Sequence, residues 1–134
     1  MGSTSGKKRK PNNLKDYVSW FEIPAHNFEQ ALDFYNHIYG IQMETTSSNS
    51  HRMAFFPANG GIGGAVVSGP GSNPNDSGPL VYLNGGDDLN NVLNKVEEAG
   101  GRVVMTKTLT NKEGGYFAIF IDSEGNKLAI HSKN

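Results

Sequence analysis

Two stretches of the chain repeat one pattern, and this duplication constrains the fold more than any other feature. Residues 20–35 and 81–96 each read as a strand followed by a helix, at a constant spacing. The apolar residues at helical intervals are Phe28, Ala31, Leu32 and Tyr35 in the first copy, and Leu89, Val92, Leu93 and Val96 in the second. The pattern predicts two copies of one supersecondary unit, paired about a pseudo-twofold axis with the functional site in the cleft between them.

Each copy continues from its helix into further short strands. The predicted strands are 17–23, 41–46, 51–56 and 62–67 in the first half, and 80–84, 102–105, 116–121 and 127–132 in the second. Asn27 and Gln30 form a capping-box pattern, Gly40 suits the left-handed residue that ends a helix, and Pro24 is expected to end the first strand. The second helix is predicted at 88–99. One unit leaves a sheet face uncovered, so two units are expected to close it together.

Length and composition describe one domain made of two modules. At 134 residues, the chain has room for a single domain with a sizeable core. We expect residues 1–13 to be a disordered basic tail and residues 14–134 to be the domain. Within it, module one spans 17–67, a linker without core-forming residues spans 68–78, and module two spans 79–132. The basic run 7–10 is interpreted as part of a solvated tail.

Charge and residue usage exclude several classes of function. The net charge of −1 provides no global field for nucleic acid or membrane. The chain has no cysteine, which excludes disulfides and thiolate metal sites and is compatible with a cytoplasmic location. No apolar run approaches the roughly 20 residues that span a bilayer. The glycines of 61–64 precede a strand-like run rather than a helix, so they are interpreted as a turn and not a phosphate loop.

Several motifs in order resemble one protein superfamily. They are Phe21-Glu-Ile-Pro24, Ala31-Leu-Asp-Phe-Tyr35, Gly61-Ile-Gly-Gly-Ala-Val66, Val81-Tyr-Leu-Asn84, Val96-Glu-Glu-Ala-Gly-Gly101 and Gly115-Tyr-Phe-Ala-Ile-Phe-Ile-Asp122 with Gly125-Asn-Lys. Over residues 17–132 the chain resembles the vicinal oxygen chelate superfamily, which includes glyoxalase I, bleomycin-resistance proteins and extradiol dioxygenases. The likeness is greatest to small glyoxalase-like bacterial proteins. It implies an α+β fold in which two βαβββ modules form a curved mixed sheet around a cleft, with helices on the outer face.

The resemblance also implies where a metal would bind. Members usually hold a divalent cation with four His or Glu (sometimes Gln) side chains on the first and last strands of the modules. Those positions fall on Trp20 and Val81, on Ala129, and on Ala65 or Gly64. None of these side chains can ligate a hard or borderline cation, so we expect no metal and no other cofactor.

Two polar residues remain as candidate catalytic groups. Strand alternation places Glu22 beside Trp20, and His131 beside Ala129, on the predicted cleft face. A carboxylate and an imidazole from opposite modules could act as base and acid on an enolisable substrate. The alternative is that both are structural. A displaced metal site of His51 with Glu44 or Glu22 is a further possibility.

The remaining cleft positions predict a small-molecule partner. The residues predicted to bind it are Trp20, Ala65, Val81, Leu83, Phe120 and Ala129. An indole at position 20 can stack on a flat ligand or fill the space of the missing cation. The sequence therefore predicts a glyoxalase-like protein that is either a lyase or isomerase, or a non-catalytic sequestering protein of the bleomycin-resistance type. We expect a homodimer, and no nucleic-acid or membrane partner.

Overall fold

The computed structural model describes residues 14–110 and 114–134. The predicted basic tail, residues 1–13, lies outside them. Module one contains β1 (Trp20–Ala25), α1 (Phe28–Tyr39), β2 (Glu44–Ser48), β3 (His51–Phe55) and β4 (Gly63–Ser68). Module two contains β5 (Tyr82–Asn84), α2 (Asn90–Leu93), β6 (Arg102–Leu109), β7 (Tyr116–Ile121) and β8 (Lys127–Ser132). In the described part of the chain, no helix has the length and apolar character needed to cross a membrane.

The two halves have the same sheet topology. Module one has the strand order β1-β4-β3-β2, and module two has the order β5-β8-β7-β6. In each module the first strand pairs in parallel with the last, and the other pairs are antiparallel. The predicted α+β fold of two βαβββ modules is confirmed.

Local signals at both ends of α1 act as the sequence predicts. The Asn27 side chain accepts a hydrogen bond from Gln30 N at 3.1 Å, and Gly40 is left-handed with φ of 63°. The predicted end of β1 at Pro24 is wrong, because Pro24 lies inside the strand. β1 is an edge strand of its sheet, where a residue without an N–H is tolerated.

The second helix is much shorter than the predicted span of 88–99. α2 covers only Asn90–Leu93, and the chain then continues as a series of turns to Gly100. Several of its hydrogen bonds join residues three apart, including Lys95 N to Val92 O and Val96 N to Leu93 O. Hydrogen bonds between residues three apart form a tighter turn than the four-residue spacing of an α-helix. Asparagine, which occurs at three positions from 90 to 94, is also a weak helix former. Val92, Leu93 and Val96 nevertheless remain buried, as the apolar pattern requires.

Both sheets turn one face towards a single shared core. The core cluster contains residues of both sheets and both helices, and its largest fully buried side chains include Tyr35, Phe34 and Phe120. Phe34 of α1 packs against Phe120 of β7, with ring centroids 6.2 Å apart. The helix of module one therefore packs against the sheet of module two.

The first strand of module two is shifted by one residue relative to the sequence repeat. Corresponding pairs are Glu22–Ala65 and Ile23–Val66 in module one, and Tyr82–Ala129 and Leu83–Ile130 in module two. The connection from Leu83 to Leu89 is one residue longer than the connection from Ile23 to Phe28. Gly85 lies in this connection, where an added Cβ would be 2.7 Å from the Leu89 Cβ. Because strand faces alternate, the shift exchanges the two faces of β5 relative to the repeat.

Candidate ligand-binding site between the modules

The face of β1 opposite the core carries two exposed polar or aromatic side chains. Trp20 is 44% exposed, and Glu22 is also exposed, whereas Phe21 and Ile23 belong to or pack against the core. The indole Nε1 of Trp20 donates a hydrogen bond to Glu22 Oε2 at 3.0 Å. This bond fixes the carboxylate beside the indole ring.

Each module presents an aromatic pair on the side of its sheet that faces away from the core. Trp20 packs against Phe55 in module one, and Tyr82 packs against Phe117 in module two, with centroids 6.2 Å apart in both pairs. Tyr82 is 55% exposed. Partly exposed rings of this kind can stack on flat ligands.

A cavity of about 240 Å³ lies at the junction of the modules. Its lining comes from β1, from the linker, and from module two around the start of β8; the residues are Glu22, Ile23, Pro24, Asn75, Ser77, Pro79, Val81, Asn126, Lys127 and Leu128. Half of the lining residues are apolar, and the others provide a carboxylate, an ammonium group, two amides and a hydroxyl. This mixture of apolar and polar groups is typical of small-molecule sites. The volume of about 240 Å³ limits the guest to a small molecule.

The linker forms one wall of this cavity because Asn75 attaches it to module two. Asn75 N donates to Asn126 Oδ1 at 3.0 Å, and Lys127 N donates to Asn75 O at 3.3 Å. The Asn75 side chain also accepts a hydrogen bond from Ser77 N at 3.1 Å. The sequence predicts this segment only as a linker between the modules. The run of turn-forming residues gave no sign that it would line a site.

The candidate catalytic residues line different cavities. Glu22 lines the junction cavity, whereas His131 lines an open depression of about 670 Å³ on module two, together with Tyr82, Asn84 and Asp87. The His131 Nε2 atom is in hydrogen-bond contact with the backbone oxygen of Gly114. The structure thus places the two side chains at separate locations, each with a partner of its own.

The residues predicted to bind the ligand are divided between the two faces of the sheets. Ala65 pairs with Glu22 in the sheet of module one, and Ala129 pairs with Tyr82 in the sheet of module two. Both alanines are fully buried and lie on the faces that carry the aromatic pairs. Leu83 and Phe120 instead lie in the shared core, at 5% and 0% exposure.

The residue shift in β5 explains where Val81 lies. Val81 packs against the core and also lines the junction cavity. When the pairing of β5 with β8 is extended back by two residues, the residue of module two that corresponds to Trp20 is Leu80 rather than Val81. The sequence repeat could not reveal this difference, because the buried residues of the two helical segments keep the constant spacing between the two copies.

The superfamily's metal positions do not fit a cation in this chain. Trp20, Ala65 and Ala129 have no metal-binding side chain, and this holds for the fourth position whether it is Val81 or Leu80. Throughout residues 14–110 and 114–134, no group of three or more His, Cys, Asp or Glu side chains is arranged to hold a metal ion. In the displaced site considered above, the His51 ring is hydrogen-bonded to Pro70 O and Ser50 Oγ.

A buried polar network holds the modules together beside the cavity. The Tyr35 hydroxyl donates to Asp122 Oδ2 at 2.7 Å, and Asn126 Nδ2 donates to Pro24 O at 2.8 Å and to the same carboxylate at 3.0 Å. Asp122 and Asn126 are only 3% and 4% exposed. Burial, with the neighbouring Asp122 carboxylate, raises the pKa of Tyr35 well above its usual value. In the sequence, Asp122 and Asn126 are recognisable only as parts of the superfamily motifs.

A second contact across the junction is made by Glu124. Its Oε1 atom accepts hydrogen bonds from His26 N at 2.9 Å and Asn27 N at 2.7 Å, and its Oε2 atom accepts one from Gln30 Nε2 at 2.7 Å. A carboxylate of module two therefore lies at the N-terminus of α1, where the helix dipole favours negative charge.

Comparisons with known proteins agree with this architecture. Residues 17–130 match the model of the Glyoxalase/Bleomycin resistance protein/Dioxygenase superfamily. The chain belongs to this superfamily. It is 31% identical over 122 residues to a glyoxylase-like domain-containing protein of Didymella fabae, covering 87% of this chain and 94% of that protein.

Solved structures share the fold of this chain at low sequence identity. A glyoxalase/bleomycin resistance protein from Albidiferax ferrireducens T118 has a TM-score of 0.69 at 15% identity, covering 89% of this chain and all of that one. TnmS3, an antibiotic binding protein from Streptomyces sp. CB03234, has a TM-score of 0.60 at 21% identity, covering 92% of this chain and 100% of that one.

Proposed function

We propose that this protein binds a small organic molecule in the cavity between its modules, without a metal at the superfamily's usual positions. The observation that carries the proposal is the junction cavity, whose wall combines apolar side chains with Glu22, Lys127 and Ser77. The Trp20 indole lies beside it through its bond to Glu22. The relationship in fold to TnmS3, an antibiotic binding protein, supports a binding role.

A sequestering role is favoured over catalysis. A lyase or isomerase that used Glu22 and His131 on one substrate would need both groups at the same cavity, whereas they line separate ones. Binding alone requires only shape, stacking and charge complementarity. A cytoplasmic homodimer remains a prediction from the sequence.

A fluorescence screen tests the proposal, because Trp20 is the only tryptophan. Aromatic and chelating compounds are titrated while the Trp20 emission is followed, and we expect a saturable change with at least some of them. Ser77→Phe, which places a bulky ring in the cavity wall, should abolish the response. Ser72→Phe, in the same linker but outside the cavity lining, should preserve it.

Two results would contradict this proposal. The first is that no compound changes the emission; the second is that the response persists unchanged in Ser77→Phe. Turnover of a bound compound that Glu22→Gln abolishes would support the lyase or isomerase instead.

A further inference from the structure

Two opposite charges line the junction cavity without neutralising each other. Glu22 and Lys127 are both exposed and both line it. Among the described residues, the ion pairs join other side chains: His37–Glu98, Arg52–Glu29 and Lys107–Asp88. The charges of Glu22 and Lys127 therefore remain accessible to a guest.

Neighbouring contacts orient the Glu22 carboxylate and anchor the backbone of Lys127. The Trp20 indole N–H binds one oxygen of Glu22, and a carboxylate can accept several more hydrogen bonds. Lys127 begins β8, and its backbone N–H is bound by the linker at Asn75 O. Strand alternation places the Lys127 side chain on the same face as Ala129, the face that carries the Tyr82–Phe117 pair.

We propose that the guest of this cavity is a small amphoteric molecule, with an amine or another strong donor that meets Glu22 and a carboxylate or another acceptor that meets Lys127. The apolar wall formed by Pro24, Pro79 and Val81 receives the body of the guest. This inference rests on the proposed function and adds the chemical class of the ligand. Charge-assisted hydrogen bonds at both ends give selectivity that the apolar wall cannot supply.

Probes that share one aromatic skeleton test the inference. Free phenylalanine carries both charges, phenethylamine only the positive one, hydrocinnamate only the negative one, and phenylethanol neither. Their dissociation constants are measured by saturation-transfer NMR titration. We expect phenylalanine to bind most tightly, about tenfold better than phenylethanol, since each charged contact adds to the affinity.

Charge-removing variants assign each end of the guest. Glu22→Gln keeps an acceptor for the indole. It should weaken the binding of phenethylamine and phenylalanine severalfold and leave the dissociation constant of hydrocinnamate unchanged. Lys127→Gln should weaken the binding of hydrocinnamate and phenylalanine but not that of phenethylamine. Asp16→Asn and Lys15→Gln make the same changes of charge at exposed positions outside the cavity, and should have no effect.

Failure of this inference can be distinguished from failure of the proposed function. If all the probes bind equally well, or if the two cavity variants behave like their controls, the amphoteric guest is ruled out while binding in the cavity stands. If none of the probes binds while other compounds change the Trp20 emission, the amphoteric guest is ruled out and binding in the cavity stands; if no compound in the fluorescence screen binds either, both are overturned.

Discussion

Asp122 accepts four hydrogen bonds beside the junction between the modules. Its Oδ1 atom accepts from Glu124 N and Asn126 N, and its Oδ2 atom accepts from the Tyr35 hydroxyl and Asn126 Nδ2. The carboxylate is nearly fully buried, so these donors replace the water that it would otherwise bind. Removing one donor leaves a buried charge less well satisfied.

The bond between Tyr35 and Asp122 gives a first prediction. Tyr35→Phe removes the hydroxyl and should lower the free energy of unfolding by about 1–3 kcal/mol, as expected for a buried hydrogen bond to a charged group. Urea denaturation measures the change. Tyr17→Phe is the matched control, because Tyr17 is 83% exposed, and it should be close to neutral. Equal effects of the two variants would contradict the role assigned to this bond.

Tyr35 also predicts how stability depends on alkaline pH. Burial raises the pKa of Tyr35 in the folded state, so the unfolded chain loses this proton first. The stabilising contribution is complete below the unfolded pKa of about 10 and is lost progressively as the pH rises above it. We expect the unfolding free energy to fall less steeply above pH 10 in Tyr35→Phe than in the wild type. Parallel pH profiles in denaturant titrations would be evidence against this account.

At the scale of elements, α1 could be predicted from the sequence because its signals are local. Asn27 and Gly40 lie next to the helix that they cap, and both act as the pattern indicates. The register of β5 could not be predicted in this way. It depends on one additional residue near Gly85, which shifts the strand but leaves the buried positions of the following helix in place. For this reason the sequence repeat predicts Val81 at the position that Leu80 occupies.

The N-cap of α1 gives a prediction at this scale. Asn27→Ala removes the acceptor for Gln30 N and should cost about 1 kcal/mol of stability. Thermal or urea unfolding measures the loss. Asn73→Ala is the control, since Asn73 is exposed and the bond described at this residue uses its backbone oxygen. If both variants unfold at the same denaturant concentration, the cap does not contribute.

At the scale of the whole molecule, the candidate site arises where three parts of the chain meet. Asn126 joins β1 through Pro24 O, the linker through Asn75 N, and the β7–β8 turn through Asp122. Residue patterns predicted the modules and the two faces of β1. They did not predict that the linker forms a wall of the cavity, because its docking depends on Asn126, a residue far from the linker in sequence, whose side chain accepts from Asn75 N.

Asn126 therefore gives a prediction about the junction. Asn126→Asp keeps the shape but replaces the Nδ2 donor with an oxygen that faces Pro24 O and Asp122 Oδ2. We expect a loss of about 2–4 kcal/mol in the free energy of unfolding. Denaturant unfolding measures it, with Asn73→Asp as the control for the same chemical change at an exposed position. A loss no larger than that of the control would show that the junction does not need this amide.

Binding without the superfamily's metal is the central claim, and elemental analysis tests it most directly. The purified protein is dialysed to equilibrium against zinc, nickel, manganese and iron, its metal content is determined, and the Trp20 titration is repeated with and without a chelator. We predict less than stoichiometric metal and the same ligand affinity in both titrations. Stoichiometric metal, together with ligand binding that the chelator abolishes, would contradict the account.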